Sequence, residues 1–222
     1  RSNIRMDLEE RGCRDPEEII RRLMTPERRV RIPPMMVQMS AVPFDGTYAK
    51  AVEAMGDSLP TSDEWEYLCG GGLNTLFQWG DRFDFSMGLD HYPDSPDGQC
   101  PLREPNFFGL LIATDPFLAE AVRSDEPTFR GGDLGGHILT GYRPVIGYLS
   151  CSPHFKPISK GPDGKEPTRF LCRRVVRLDT PEQLPVEQDE ESSDPVACEE
   201  AEPGPETVFS DSRPFPKDYV FC

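Results

Sequence analysis

The chain of 222 residues carries 39 acidic and 24 basic residues, a formal net charge of −15. This excess of carboxylates argues against a protein that binds nucleic acid by neutralising phosphates, and the apolar runs are too short to span a membrane. The seven cysteines are odd in number and form no C-x-x-C pair, which favours free thiols in a reducing compartment over a disulfide framework or a zinc ribbon.

Charge and composition divide the chain into three parts. Residues 179–222 hold 13 acidic residues against Arg213 and Lys217, a net charge of −11, so residues 1–178 carry only about −4. We therefore predict an Arg-rich helical N-terminal extension over 1–36, a folded domain over 37–178 and an acidic, proline-rich extended tail over 179–222. The sequence begins at Arg1, so we expect a processed or trimmed intracellular protein, located in an organelle if a targeting segment has been removed.

The first well-signalled element is a helix at "DPEEIIRRLM". Asp15 suits the N-cap, Pro16 suits the first helical position, and Glu18 is placed to close a capping box. The apolar residues fall on one face, which predicts that the helix packs against something. We assign that face to partner binding; its residues are Ile19, Ile20, Leu23 and Met24.

Further elements follow in chain order. "MMVQMS" predicts a short buried strand, "GTYAKAVEAMG" a helix ended by Gly56, and "LPTSDEWEYLCGGG" a helix capped by Thr61 with Glu64 three residues later. Residues 74–105 predict a long irregular stretch. The segments "NFFGLLIA", "HILTGYRPVIGYLSCSP" and "RFLCRRVVRL" predict strands because they are rich in β-branched and aromatic residues.

The end of the tail regains aromatic residues after a long acidic spacer. Such a spacer cannot bury enough apolar surface to fold in isolation. An acidic spacer that ends in an aromatic clasp is typical of a segment that docks on a protein surface. We assign the clasp to partner binding through Phe209, Phe215, Tyr219 and Phe221.

Four motifs occur in a fixed order: "LPTSDEWEYLCGGG" followed by "WGD", then "PNFFGL", "FRGGD" and "RFLCRRVVRL". Together they resemble the formylglycine-generating enzyme family, the sulfatase-modifying factors, over roughly residues 37–178. The resemblance implies an irregular, loop-rich α+β domain related to the C-type lectin fold. It also implies that the N-terminal strands usual in the family are abbreviated here and replaced by the Arg-rich segment.

The same resemblance implies that the metal-binding residues of the family are missing from this chain. Family members that oxidise cysteine bind copper through two cysteines, and the matching positions here fall near Gly136 and Gly141. The family's calcium-binding stretch is replaced by "LLIATDPFLAEAV", which keeps only Asp115 and Glu120 as oxygen ligands, so a surface turn is the favoured interpretation. We accordingly assign no catalytic residue, no metal ligand and no cofactor.

The sequence therefore favours a catalytically silent accessory or structural subunit of a larger assembly, which contacts other proteins through its front helix and tail. One alternative is an oxidoreductase with an unfamiliar metal site near His137, Cys151 and His154; with His91 these are the only histidines, and none lies at H-x-x-x-H spacing. Another alternative is a lectin-like module that binds a ligand or receptor through calcium in the acidic loop 81–97.

Overall fold

The computed structural model describes residues 5, 6, 9, 14–81, 101–136, 145–178 and 218–222. Both helices and short, mostly antiparallel strands occur in these ranges, so the fold is α+β. The helices with defined bounds are α1 (Pro16–Leu23), α2 (Tyr48–Met55), α3 (Ser62–Gly70) and α4 (Val145–Leu149), with 3₁₀ turns at Gly56–Ser58 and Pro101–Arg103. The strands are β1 (Met35–Gln38), β2 (Val42–Asp45), β3 (Glu120–Ala121), β4 (Phe129–Arg130), β5 (Arg169–Cys172), β6 (Val175–Arg177) and β7 (Tyr219–Phe221).

The strands form two small sheets. One has the order β6–β1–β7, with both outer strands antiparallel to β1. The other has the order β2–β5–β3–β4, in which only the β3–β5 pairing is parallel. Only Arg173 and Arg174 separate β5 from β6, so the chain passes from one sheet to the other at these two arginines.

Two apolar clusters hold the elements together. The larger joins Met35 and Val37 of β1 to Trp65 and Leu68 of α3. The smaller places Tyr48 of α2 against aromatic rings of the second sheet. Because removing apolar surface from water is the dominant stabilising term, the larger cluster holds α3 against the first sheet and the smaller one holds α2 against the second.

Local capping signals correctly predicted the first three helices. The Asp15 carboxylate accepts a hydrogen bond from the Glu18 backbone N–H at 3.0 Å. The Glu18 side chain instead pairs with Arg21 at 2.6 Å, so only half of the expected capping box forms. Thr61 and Glu64 form a full capping box, and Gly56 ends α2 with a positive φ of 50°.

Two strand predictions were wrong. The segment "NFFGLLIA" forms a turn rather than a strand, because the Asn106 side chain bonds four backbone groups and Gly109 takes a positive φ of 77°. In the segment that starts at His137, residues 137–144 lie outside the described ranges, and Val145–Leu149 is the short helix α4. An apolar run of five residues is too short for its periodicity to separate a helix from a strand.

Two features of the fold bear on the predicted division of the chain into extension, domain and tail. The boundary between residues 36 and 37 falls inside β1, and the tail segment supplies β7 to the same sheet. Strands from the extension, the domain and the tail therefore share one sheet. No helix in the described ranges is long and apolar enough to cross a bilayer.

Candidate functional site around helix α3

Three consecutive residues of α3 each contact a different part of the chain. Glu64 accepts from the Arg177 guanidinium of β6 at 2.7 Å, and Trp65 donates its indole N–H to Glu120 of β3 at 3.1 Å. Glu66 pairs with Arg28, Arg130 and His154. The segment "DEWEY" thus acts as the centre to which both sheets attach.

The partner of Trp65 belongs to a buried ion pair. Arg173 donates to both carboxylate oxygens of Glu120, at 3.0 and 2.9 Å, and the two side chains are 0% and 2% exposed. Its other donors reach the backbone carbonyls of Gln38, Met39 and Leu111 at 2.6 to 2.8 Å. A buried charge is tolerated only when it is paired and fully hydrogen-bonded, and this guanidinium satisfies both conditions.

The same ion pair involves Glu120, one of the two residues that the sequence left as candidate calcium ligands. Glu120 was one of two oxygen ligands left by the sequence, and its oxygens are taken by Arg173 and Trp65. The other, Asp115, accepts from the Phe117 backbone N–H at 2.8 Å, which forms a local turn. A hard cation needs six to eight oxygen ligands, and these two carboxylates have other partners.

Glu66 is the most strongly perturbed carboxylate in the site. It pairs with Arg28 at 2.9 Å, with Arg130 at 3.1 Å and with His154 Nδ1 at 3.4 Å. Burial alone would raise the pKa of Glu66. Hydrogen bonds from His154 and Arg28, together with the charge of Arg130, instead lower this pKa to about 2. Glu66 is therefore an anion held by basic groups, not an acid ready to donate a proton.

Arg130 connects this carboxylate to a distant loop. Its guanidinium donates to the backbone carbonyls of Pro153 and Phe155 at 3.2 and 2.9 Å. The guanidinium carbon, Cζ, lies 5.9 Å from the centre of the Trp65 ring. The next residue, Gly131, has a φ of +84°, and a Cβ there would lie 2.7 Å from Trp65 Cζ2. The "RGG" motif therefore lets the backbone lie against the tryptophan.

Two thiols lie in the core at α3, one on the helix itself and one on a neighbouring turn. Cys69 and Cys151 are fully buried, and Cys69 Sγ is 4.0 Å from the Cys151 carbonyl oxygen. Burial raises the pKa of each thiol well above its ordinary value. Because the thiolate is the nucleophile and the metal ligand, neither group is prepared for such chemistry.

The asparagine of "PNFFGL" fixes the other end of α3. Asn106 donates its side-chain amide to the carbonyls of Leu68 and Cys69 at 2.6 and 3.2 Å, and its side-chain oxygen accepts from the backbone of Phe108 and Leu110. Carbonyls near a helix end lack partners within the helix. Asn106 supplies partners to two of them and ties the turn to α3.

The apolar face of α1 packs against the chain itself. Leu149 and Phe155 are buried beneath this face. The contacting side chains of α1 and its C-cap are Ile19, Ile20, Leu23 and Met24. The prediction that this helix docks on something is met within the chain, and all four side chains remain only partly buried. Their assignment to an external partner stays a prediction.

The aromatic clasp is placed only in part. Tyr219 and Phe221 lie in β7, which pairs with β1. Val220 and Cys222 pack on the larger core cluster, whereas Phe221 is 68% exposed. Phe209 and Phe215 lie outside the described residues, as do His91, His137 and Gly141. Of the six predicted partner-binding residues that the structure describes, four lie on α1 and its C-cap and two lie in β7.

Several key residues were missed by the sequence reasoning. The sequence analysis assigned no role to Arg28, Glu66 or Arg173, although each forms an ion pair in the site. The available signal was the pair of acids that flanks Trp65 and the paired arginines of "CRRVV". Among the residues that the structure describes, no three His, Cys, Asp or Glu side chains form a group that could hold a metal ion. Comparisons with protein-family models, curated proteins and solved structures each find no match for this chain.

Proposed function

We propose that this chain is a catalytically silent relative of the formylglycine-generating enzymes, with an irregular C-type lectin-like fold, and that it serves as a protein-binding accessory subunit of a larger assembly. The proposal joins the motif resemblance to the contacts of those motifs. Motifs far apart in the sequence converge on α3: "PNFFGL" through Asn106, "FRGGD" through Arg130, and "RFLCRRVVRL" through Arg177.

One observation supports the proposal that the chain is catalytically silent. In this arrangement the acids of α3 face arginines: Glu64 is paired with Arg177, and Glu66 with Arg28 and Arg130. A general acid needs a pKa near the working pH, and the pKa of Glu66 is instead lowered to about 2. The motif residues thus support the fold, which leaves the surface to carry the function.

The oxidoreductase alternative loses support at Cys151. Burial raises the pKa of its thiol, and the thiolate is the form that binds a metal or attacks a substrate. The lectin-like alternative depends on the loop 81–97, of which only Asp81 is described, and Asp81 accepts from the Leu76 backbone N–H at 2.8 Å.

The test is the solution mass of the native protein after gentle purification, with elemental analysis of the same peak. We expect the chain in a complex well above its own 25.0 kDa and without stoichiometric transition metal. Elution as a monomer would refute the accessory-subunit proposal. Stoichiometric copper or iron in the peak would instead favour the oxidoreductase alternative.

A further inference from the structure

The three-stranded sheet β6–β1–β7 has two unlike faces. Met35 and Val37 of β1, with Val175 of β6, point into the core and are 0 to 2% exposed. On the other face, Met36 lies directly opposite both Val176 and Phe221 in the strand register. Cross-strand partners lie about 5 Å apart, so these three side chains form one apolar row across the whole sheet.

That row is open to solvent at both ends. Phe221 is 68% exposed and Val176 is 45% exposed. A second, polar row runs beside it, formed by Gln38 and its register partner Tyr219, and Arg174 flanks this row with its backbone N–H on Gln38 Oε1 at 3.2 Å. The outward positions of the three strands themselves carry no charged side chain, which matches the central part of a protein interface.

Strong negative charge is attached to this sheet at both ends of β1. Leu178 donates its backbone N–H to Pro34, just before β1, and Met39, just after β1, donates to Asp218. Residues 179–217, with a net charge of −10, are therefore joined to the described fold at the two ends of β1. A chain with so acidic a segment attracts basic partners.

The geometry points to the outer face of β6–β1–β7 as the docking surface for a partner protein whose own apolar patch is ringed by lysine and arginine. Phe221 is the anchor, since large aromatic side chains dominate the energy of protein interfaces. The net charge of −10 in the attached segment favours a basic partner surface and speeds encounter. A second copy is disfavoured, because it would bring a further net charge of −15 against the first.

This inference rests on the proposed function and names the surface that the accessory subunit uses. The test compares Val176→Arg with Val42→Arg in the full chain, expressed with an affinity tag in its source cells. Val42 is the matched control because it is an exposed strand valine, at 44%, in the other sheet. A third chain carries a photoreactive benzophenone side chain in place of Phe221, which keeps an aromatic group there.

We expect Val176→Arg to reduce the co-purified partner about tenfold or more and Val42→Arg less than about twofold, with equal urea midpoints for both purified variants. Light should cross-link position 221 to a peptide from a basic surface of another protein. A cross-link to residues 179–217 of the same chain, or to a second copy, would overturn the inference. Equal recovery with both variants would also overturn it while leaving the proposed function intact. A monomer without any partner would refute the proposed function itself.

Discussion

Arg173 faces Glu120 through two hydrogen bonds of 3.0 and 2.9 Å, and neither side chain is more than 2% exposed. The guanidinium comes from the two-residue junction between the sheets and the carboxylate from β3, whose neighbour in the sheet is β5. One ion pair therefore sets where the chain leaves the second sheet and enters the first.

Breaking this pair should be costly. We expect Glu120→Leu to reduce the free energy of unfolding by about 3–5 kcal/mol, because it leaves a buried guanidinium without its counter-charge. The double variant Glu120→Leu/Arg173→Met should lose about 2 kcal/mol less than the sum of the single losses. Urea unfolding measures all three values.

An exposed ion pair provides the control for that prediction. Arg169 and Asp45 approach to 3.9 Å with side chains 74% and 82% exposed. Asp45→Asn should change the free energy of unfolding by less than about 1 kcal/mol. A loss from Glu120→Leu no larger than that of Asp45→Asn would mean that the buried pair does not organise the fold.

Acid should weaken the fold through Glu66. Its pKa is lowered from 4.5 to about 2, so the folded state binds this proton less readily than the unfolded state. The stabilisation is complete above the unfolded pKa and is lost as pH falls from about 5 toward 2; its size is up to about 3 kcal/mol. Urea midpoints at a series of pH values should fall less steeply for Glu66→Gln than for the natural chain. Parallel curves for the two proteins would contradict the prediction.

The glycine beside Trp65 should not tolerate a methyl group. In Gly131→Ala the new Cβ would lie 2.7 Å from the indole at a φ of +84°. We expect a loss of about 3 kcal/mol in the free energy of unfolding, from backbone strain and overpacking together. Gly164→Ala is the matched control, since Gly164 has a φ of +76° and nothing within 4 Å. It should cost about 1 kcal/mol, and equal losses would show that contact with Trp65 is unimportant.

The cysteines should differ in reactivity toward an alkylating reagent. Cys69 and Cys151 are fully buried with raised pKa values, whereas Cys222 is only half-buried. We expect Cys222 to be alkylated in the native protein while Cys69 and Cys151 react only after unfolding. Peptide-level mass spectrometry separates the sites. Rapid native labelling of Cys151 would revive the oxidoreductase alternative.

The helices were predictable from sequence because their signals are local. Asp15, Thr61 and Gly56 act on backbone groups within a few residues, and each caps its helix as expected, although Glu18 does not close the box at Asp15. The turn at Asn106 was missed because two of its hydrogen bonds reach Leu68 and Cys69, almost forty residues earlier. Such bonds leave no trace in the local pattern.

The ion pairs of the site were unpredictable for a related reason. "RFLCRRVVRL" correctly predicted strands, but nothing in that pattern shows that Arg173 points inward while Arg174 stays exposed. The choice depends on Glu120 lying more than fifty residues earlier in the chain. Tertiary contacts of this kind decide which arginine is buried, and periodicity does not contain them.

The pairing of β7 with β1 also affects how the protein is made. Between the end of β1 at Gln38 and the start of β7 at Tyr219, 180 residues must be synthesised. At ordinary translation rates this takes on the order of ten to forty seconds. During that time the β1 edge is unpaired and the core position of Val220 is unfilled. A nascent chain in this state exposes an unpaired strand edge and apolar core surface, which favour aggregation, and its first sheet is completed only after the rest of the described fold has been translated.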